Sequence, residues 1–341
     1  HPLSSSFWKN LPTMSLTDMS FIIARQLIPH GISDSHLRQV IEKSLNFPIP
    51  VISLSDSLHC HILELFHGPT ATFKDVGARF MAHFLQYMTP PHPLHVAVST
   101  SGDTGSAVAD AFNETEVPVD IFYPRHKISP IQQQQITVYR PLVRCHEVDG
   151  TFDDCQDMVK TTFRQYPQKF FPANSISILR LIPQSFYYVW MYRQICLQND
   201  LHPQDKKPLI VSIPCGNLGN LTGALLAWKL GLPVERIIAA TNRNQTFGEY
   251  LIGEKPSRTI SHRTLSNAMD VSIPNNLTRI DALFHHDRSA VRKLVSSFSI
   301  SDSRTQDTIK DVYRTCGYVL DPHTSVAYTA LREMTPHLPE S

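Results

Sequence analysis

The stretch 64–82 reads ELFHGPTATFKDVGARFMA, and its one lysine, Lys74, stands between Phe73 and Asp75. The apolar face of a helix is predicted to begin near Val76, directly after it. A lysine beside an apolar surface loses part of its hydration, which favours the neutral amine and makes it a nucleophile. The alternative is a helix-start lysine that forms an ion pair with Asp75. The segment alone leaves both interpretations open.

The chain has 341 residues, with 31 basic and 30 acidic side chains and a net charge of +1. This length predicts two domains, or one large α/β unit with an appendage. The balanced charge argues against a nucleic-acid partner and against binding to an anionic membrane surface. Because no apolar run approaches the roughly 20 residues of a spanning helix and no signal-peptide pattern opens the chain, we expect a soluble protein.

Cysteines and histidines give no metal-binding pattern. The six cysteines are widely separated, without a CxxC pair and without histidines at zinc-finger spacing. The 17 histidines are scattered, and scattered histidines are usually structural or exposed. We therefore expect no metal site, and a reducing compartment, the cytoplasm.

Strand-like and helix-like stretches alternate through most of the chain. Residues 1–46 have helical periodicity, and 47–63 contain prolines with a strand or two. Beyond them, LHVAVST, VPVDIFYP and LVRCHEV alternate with helices, as do PLIVSIP and RIIAATN after a long helix from Arg180 to Gln198, in which Pro183 is either early or marks a kink. The pattern predicts an α/β fold of two doubly wound parallel-sheet domains, with a cleft between them as the default site. The predicted division is an N-terminal helical segment 1–62, a first α/β domain 63–175 and a second 176–341.

Two glycine loops stand at predicted strand-to-helix junctions. Residues 99–105 read STSGDTG and residues 215–220 read CGNLGN, in a chain with only 13 glycines. Such loops can bring backbone N–H groups and a helix N-terminus to an anion. The first could instead be a well-capped turn, and the second matches neither a Walker A motif nor GxGxxG. Together with a poorly hydrated lysine, they suit pyridoxal phosphate, an aldehyde cofactor that carries a phosphate.

Several blocks in their order along the chain resemble the threonine synthase family of the fungal and enterobacterial type. These blocks are ELFHGPTATFKDVGARFMA, STSGDTGSAVADAF, YPRHKISPIQ, VDGTFDDCQDMVK, NSISILRLIPQSFYY, CGNLGN, LSNAMDVSIPNN and GYVLDPHTSVAY. The resemblance implies the tryptophan synthase β-like class of pyridoxal phosphate enzymes, fold type II. It implies a lyase of threonine biosynthesis that converts O-phospho-L-homoserine and water to L-threonine and phosphate.

The resemblance also implies roles for particular residues. Lys74 of the FKD motif would form a Schiff base with the cofactor and then move the substrate protons. The other cofactor-binding residues would be Phe73, Gly102, Asp103, Gly216, Asn217, Leu218, Gly219 and Asn220. The substrate-binding residues would be Thr100, Ser101, Thr104, Asn174, Ser175 and Arg180.

Arg180 is the first candidate for pairing with the substrate phosphate, because a guanidinium binds such a group in a bidentate manner. Arg125 and Lys127 are second candidates, although solvated charges at a strand end explain them equally well. Asn267 and Asp270 receive no role from the sequence. His323 is interpreted as a helix-start or core-rim histidine in preference to a catalytic base.

The chain departs from the family pattern at three places. Ser177 replaces the asparagine of the family motif NSIN, which leaves the choice of substrate less secure than the chemistry. Relative to the family, the sequence starts after an STRG-like segment and stops before a GTAHPAKF-like segment, whose threonine or serine partners the pyridine nitrogen. If these residues were the whole protein, cofactor affinity and turnover would be expected to suffer.

Two other functions stay open at this point. One is a phospho-lyase that eliminates phosphate and releases 2-oxobutyrate, since elimination precedes the positioning of water. The other is a non-catalytic remnant that acts through binding alone. The expected partner is a small-molecule substrate, with no nucleic acid and no membrane, and the expected state is a monomer or homodimer.

Overall fold

The computed structural model describes residues 1–54, 60–88, 94–100, 102–138, 141–167, 169–174, 177–254 and 261–335, and for Asp153 the backbone alone. Three helices open the chain: α1 (Ser5–Asn10), α2 (Leu16–Leu27) and α3 (Asp34–Ser44). Each begins after a serine whose hydroxyl accepts a hydrogen bond from a first-turn N–H, namely Ser4, Ser15 and Ser33. These N-caps satisfy donors that would otherwise lack a partner, so the predicted helical start of the chain is confirmed.

The remaining elements alternate much as the sequence predicts. The strands are β1 (Val51–Ser53), β2 (His61–Leu63), β3 (His95–Ser99), β4 (Val119–Pro124), β5 (Val143–Val148), β6 (Phe170–Pro172), β7 (Leu209–Pro214), β8 (Val234–Thr241) and β9 (Val295–Ser299). The further helices are α4 (Lys74–Leu85), α5 (Asp103–Asn113), α6 (Pro130–Thr137), α7 (Phe152–Gln165), α8 (Ile178–Leu181), α9 (Gln184–Gln198), α10 (Gly219–Lys229), α11 (Thr246–Ile252), α12 (Leu277–Leu283), α13 (Arg288–Leu294), α14 (Asp302–Cys316) and α15 (Pro322–Met334). Short 3₁₀ turns cover Leu11–Thr13, Pro203–Asp205 and Asn267–Met269.

Two parallel sheets form the centres of the fold. The first has the strand order β5-β4-β3-β6, and the second has the order β7-β8-β9. Every pairing within both is parallel. The two sheets and the many helices confirm the predicted α/β class. The sequence did not predict strands β6 and β9, because FFP is only three residues long and VSSFS contains three serines.

The chain separates into two compact units. The first contains residues 3–50 and 63–193, and the second contains 51–62 and 194–341. The change from one to the other falls inside α9. The division into segments 1–62, 63–175 and 176–341 stays a prediction.

The helix that carries Lys74 is a core element of the first unit. Every residue of α4 from Asp75 to Leu85 is buried. Gly77 lies against α8 so closely that a Cβ atom there would stand 2.7 Å from the backbone oxygen of Arg180. The start of α4, and with it Lys74, is therefore fixed by packing on the following eleven residues.

The predicted long helix from Arg180 to Gln198 is two helices. Helix α8 ends at Leu181 and α9 begins at Gln184, so the break contains Pro183. Proline lacks the N–H that would continue the ladder, and its ring collides with the preceding turn. The sequence predicts Pro183 either early in one long helix or at a kink, and the structure has the kink. Over the described ranges, no helix combines the length and apolar character needed to cross a bilayer.

Candidate active site

Lys74 is the first residue of α4, two positions before the predicted start of the helix. Its Nζ donates a hydrogen bond of 2.9 Å to Asp103 Oδ2, and the two side chains are only 15% and 25% exposed. The same nitrogen lies 4.7 Å from the centre of the Phe73 ring. An ammonium over an aromatic face and beside a carboxylate is held in one place. The partly dehydrated lysine that the sequence predicts is present.

The alternative pairing of Lys74 with Asp75 is wrong. The Asp75 side chain is buried and points to Thr70, whose N–H and hydroxyl donate to its two oxygens at 2.9 and 2.5 Å. Burial raises the pKa of Asp75, against these hydrogen bonds. A Cβ atom at Gly68 would meet Asp75 Oδ2 at 2.5 Å, so the turn before α4 folds tightly over this carboxylate. Adjacent helical residues point in different directions, which separates the lysine from its sequence neighbour.

The STSGDTG loop is built around the hydroxyl of Thr100. Thr100 Oγ1 accepts hydrogen bonds from the N–H groups of Gly102 and Gly105, at 2.9 and 2.8 Å, and donates to the carbonyl of Gly102. Gly102 has φ +146°, a backbone conformation that residues with a Cβ atom rarely adopt. Thr104 lies half-buried in the first turn of α5, and Ser101 lies outside the described residues. Thr100 thus shapes the loop, and the substrate-binding role that the family resemblance implies for it stays a prediction.

Asp103 is the point where the loop meets Lys74. It opens α5, and its second oxygen, Oδ1, accepts a hydrogen bond of 2.6 Å from Gln132 Nε2. Gln132 belongs to α6 and received no role from the sequence. Its only sequence signal is the spacing of Ser129 and Gln132, which is typical of a capping box and is present here as one. Distant segments of the first unit therefore meet at one carboxylate.

The second glycine loop lies in the other unit, between β7 and α10. Leu218 has φ +60° and precedes Gly219, the first residue of α10. A Cβ atom at Gly216 would lie 2.7 Å from the Cα of Met269, so only glycine fits there. Asn217 Oδ1 accepts from the N–H of Asn275 at 2.6 Å. Gly216, Leu218 and Gly219 thus have the strand-to-helix geometry expected of an anion loop, with Asn220 following in the first turn.

Segment 264–276 contacts this loop, and Asp270 is a hydrogen-bond acceptor within it. Asp270 accepts hydrogen bonds from Thr264, Asn242 and Asn244. Burial raises the pKa of this carboxyl, although the hydrogen bonds from Thr264 and Asn242 oppose the change. Asn276 Nδ2 donates to the backbone oxygen of Asn217 at 2.9 Å. Sequence reasoning gave Asp270 no role, because two of its partners, Asn242 and Asn244, lie 28 and 26 residues earlier in the chain.

His323 lies in the first turn of α15, as predicted for a helix-start histidine. The N-cap Asp321 accepts from its N–H, and His323 Nε2 accepts from the N–H of Ala268, inside the 3₁₀ turn Asn267–Met269.

Burial raises the pKa of the thiol of Cys215, the first residue of the second glycine loop. A raised pKa disfavours the thiolate, so this cysteine is an unreactive core residue.

Arg180 is buried in the first unit, with 2% of its surface exposed. Its Nη1 donates to the carbonyl of Ala173 at 2.6 Å, and its Nε has no hydrogen-bond partner. Burial lowers the pKa of the guanidinium to about 10. Ser177, one turn before it, is also buried, and its hydroxyl has no partner either. Buried polar atoms are rarely left unpaired, so this pair can accommodate a polar ligand.

Other predicted site residues have contacts of a structural kind. Asn174 is buried. Its side-chain oxygen accepts a hydrogen bond from the N–H of Ser99, and its Nδ2 donates to the carbonyl and the hydroxyl of Ser99. Arg125 lies half exposed in an ion pair with Glu147 at 3.2 Å, and Lys127 is exposed. Ser175 lies outside the described residues. Across the part of the chain that the structure describes, no cluster of three or more His, Cys, Asp or Glu could hold a metal ion.

Comparison with known proteins places this arrangement in a family. Residues 49–341 match the family described as pyridoxal-phosphate dependent enzyme. Threonine synthase of Escherichia coli K12 is 39% identical over 344 residues, which cover 96% of this chain and 78% of that protein.

Solved structures agree. The crystal structure of threonine synthase from Escherichia coli has a TM-score of 0.87 at 38% identity, covering 97% of this chain and 76% of that one. A threonine synthase from Brucella melitensis with bound PLP gives 0.86 at 25% identity, over 97% and 78%. The chain therefore belongs to the pyridoxal-phosphate dependent enzymes, and within them to the threonine synthase family.

Proposed function

We propose that this chain converts O-phospho-L-homoserine and water to L-threonine and phosphate. The observation that carries the proposal is the amine of Lys74, held at the start of a buried helix beside the STSGDTG loop by Asp103. Membership of the threonine synthase family, with 39% identity to the Escherichia coli enzyme, supports the same reaction. The cofactor is pyridoxal phosphate, and the enzyme is a lyase.

The residues present fit this cofactor. Lys74 supplies a partly buried amine for its aldehyde, and Phe73 supplies an aromatic face beside that amine. In the second unit, Gly216, Leu218 and Gly219 form a glycine loop at the start of an eleven-residue helix, which suits its phosphate. When bound, pyridoxal phosphate supplies an electron sink for carbanions next to the substrate nitrogen.

Lys74 is proposed as the residue that holds the cofactor and then moves protons at the substrate Cα and Cβ. A primary amine can do both, because it is a nucleophile when neutral and a proton donor when charged. Helix α4 is buried along its length and holds Lys74 in place. Each step of the reaction therefore begins with Nζ already positioned. Loss of phosphate from Cγ then follows removal of the Cβ proton, and water adds at Cβ.

Arg180 and Ser177 are proposed to receive the substrate phosphate. The guanidinium has a free Nε and the hydroxyl has no partner, although both are buried. A dry cation stabilises the charge that develops on a departing phosphate more strongly than a hydrated one. The other predicted substrate residues are Thr100, Ser101, Thr104, Asn174 and Ser175, of which Thr100 and Asn174 support the loop through the contacts described above.

The experiment is product analysis with O-phospho-L-homoserine and pyridoxal phosphate. We expect L-threonine and phosphate in equal amounts. Lys74→Ala should abolish both products, and a borohydride-trapped cofactor mass should map to Lys74 in the original chain. Arg180→Met should raise KM for the phosphorylated substrate by about tenfold or more, since a charged hydrogen bond contributes about 1.5–3 kcal/mol. Arg125→Met, at the strand end, is the matched control and should change KM little.

Two outcomes would contradict the proposal. Accumulation of 2-oxobutyrate without threonine would indicate a phospho-lyase instead. Absence of any cofactor bond at Lys74, together with no turnover, would indicate a protein that acts through binding alone. Retained activity in Lys74→Ala would refute the assigned mechanism.

We also propose a cytoplasmic location and a monomeric or homodimeric state. None of the six cysteines, all of which lie in the described ranges, forms a disulfide, which supports a reducing compartment. Cell fractionation tests the location, and light scattering of the purified protein measures the mass of the assembly.

A further inference from the structure

We propose that Asp103 controls the orientation and the reactivity of the Lys74 amine. We also propose that Gln132 positions the Asp103 carboxylate for this contact. The inference rests on the proposed role of Lys74. It assigns a function to Gln132, the last residue of the block YPRHKISPIQ, to which the sequence gave no role. It also changes the role of Asp103, which the sequence assigns to the cofactor.

The contact between Lys74 and Asp103 is an oriented ion pair. The Nζ to Oδ2 distance is 2.9 Å, and the two side chains are 15% and 25% exposed. At this degree of burial solvent screens an ion pair less than it screens a pair on the surface. The pair therefore holds the amine in one orientation.

Only one orientation of the Gln132 side-chain amide satisfies all of its hydrogen bonds. Its Oε1 accepts from the N–H of Ser129 at 3.2 Å, and its backbone N–H donates to the Ser129 hydroxyl at 3.2 Å. Because the oxygen is used in this capping box, the Nε2 group must point the other way, toward Asp103 Oδ1 at 2.6 Å. A carboxylate accepts and cannot donate, which excludes the flipped amide.

Gly102 shows how closely the loop is fitted to this amide. A Cβ atom at Gly102 would lie 2.4 Å from Gln132 Cδ and Nε2. Its φ of +146° turns the chain so that Asp103 opens α5 directly at the amide. Helix α6 thus determines where the Asp103 carboxylate stands, and the carboxylate determines where Lys74 Nζ stands. Gln132 is a positioning residue, one step removed from the amine.

The test measures how fast Lys74 reacts with trace acetic anhydride as a function of pH, in the full chain freed of pyridoxal phosphate, with the modified lysine identified by mass spectrometry. Asp103→Asn should raise the labelling rate at pH 8 by about tenfold, because the amine is no longer held in an ion pair with a carboxylate. The rate on the high-pH plateau should stay the same, since the plateau reports access and not charge. Other lysines in each sample, such as Lys229, report whether the chain is folded.

Gln132→Met keeps the size of the side chain and removes the donor. We expect an increase of about threefold at pH 8, in the same direction as Asp103→Asn, with an unchanged plateau. Gln134→Met is the matched control, because Gln134 is an exposed residue of the same helix. Its labelling profile should coincide with that of the original chain.

Two results would overturn the inference. One is an Asp103→Asn profile that changes only in its plateau, which would reduce Asp103 to a steric cover. The other is a Gln132→Met profile equal to that of Gln134→Met, which would remove the positioning role. Borohydride trapping of pyridoxal phosphate is run in parallel. Failure to trap it at Lys74, with the labelling changes present, would refute the proposed function and support the ion-pair network on its own.

Discussion

At the scale of single residues, His83 gives the clearest link between burial and pH. It is 2% exposed in α4, and neither ring nitrogen has a hydrogen-bond partner. Burial, with the charges of Arg79 and Lys43, lowers its pKa from 6.5 to about 4, and Glu114 opposes this only in part. The folded chain therefore holds a neutral imidazole that the unfolded chain would protonate more readily.

We predict that the free energy of unfolding falls as pH decreases from about 6.5 to about 4. The stabilising contribution is present above the unfolded pKa and is lost as pH falls toward the folded one, with a limit of about 3 kcal/mol. Urea denaturation at a series of pH values measures it. His83→Met should flatten this part of the profile, and His30→Met, at an exposed position, should leave it unchanged. An equal slope in both variants would show that His83 is not the source.

At the scale of elements, the position of α4 against α8 depends on Gly77. The space for a Cβ atom there is taken by the backbone oxygen of Arg180 at 2.7 Å, and a backbone atom cannot move aside as a side chain can. The same glycine that permits this contact therefore sets the distance between Lys74's helix and the segment that carries Arg180. Gly248, in α11, has its nearest neighbour at 3.5 Å and is not constrained in this way.

Gly77→Ala should destabilise the chain by about 1–3 kcal/mol, as overpacking of a core does. Gly248→Ala should be neutral or stabilise by up to about 1 kcal/mol, because alanine is the better helix former. Thermal unfolding of both variants provides the comparison. If Gly77→Ala were as stable as the original chain, the close contact between α4 and α8 would be refuted.

At the scale of the whole molecule, the cofactor should join binding to stability. A ligand that binds only the folded chain stabilises it by about 3 kcal/mol at a hundred times its Kd. We predict a saturable rise of the unfolding temperature with pyridoxal phosphate. Lys74→Ala should reduce this rise and keep the part that comes from the phosphate loop. The measurement is differential scanning calorimetry at several cofactor concentrations.

Pyridoxal, which has the aldehyde and no phosphate, is the control ligand. It should raise the unfolding temperature less than pyridoxal phosphate at equal concentration, because it leaves the loop at 216–220 without its anion. An equal rise with both ligands would contradict the role of that loop. No rise with either would contradict cofactor binding by the folded chain.

Local patterns in the sequence determined much of this protein. The helices after Ser4, Ser15 and Ser33, the strands from β3 to β5 and the break at Pro183 follow from caps, periodicity and a missing N–H, which act over a few residues. The partly buried lysine and the two glycine loops also follow from local chemistry. The prediction that function depends on Lys74 likewise comes from the sequence alone.

Only the tertiary structure decided which side chains meet. Asp103 in place of Asp75 as the partner of Lys74, the support of Asp103 by Gln132, and the hydrogen bond from Asn276 to the backbone of Asn217 all join residues from separate segments. The burial of Arg180 without a partner for its Nε is likewise a result of packing. A sequence specifies directions along its own helix or strand, but a contact between segments depends on how all of them pack, and that is settled only by the folded chain.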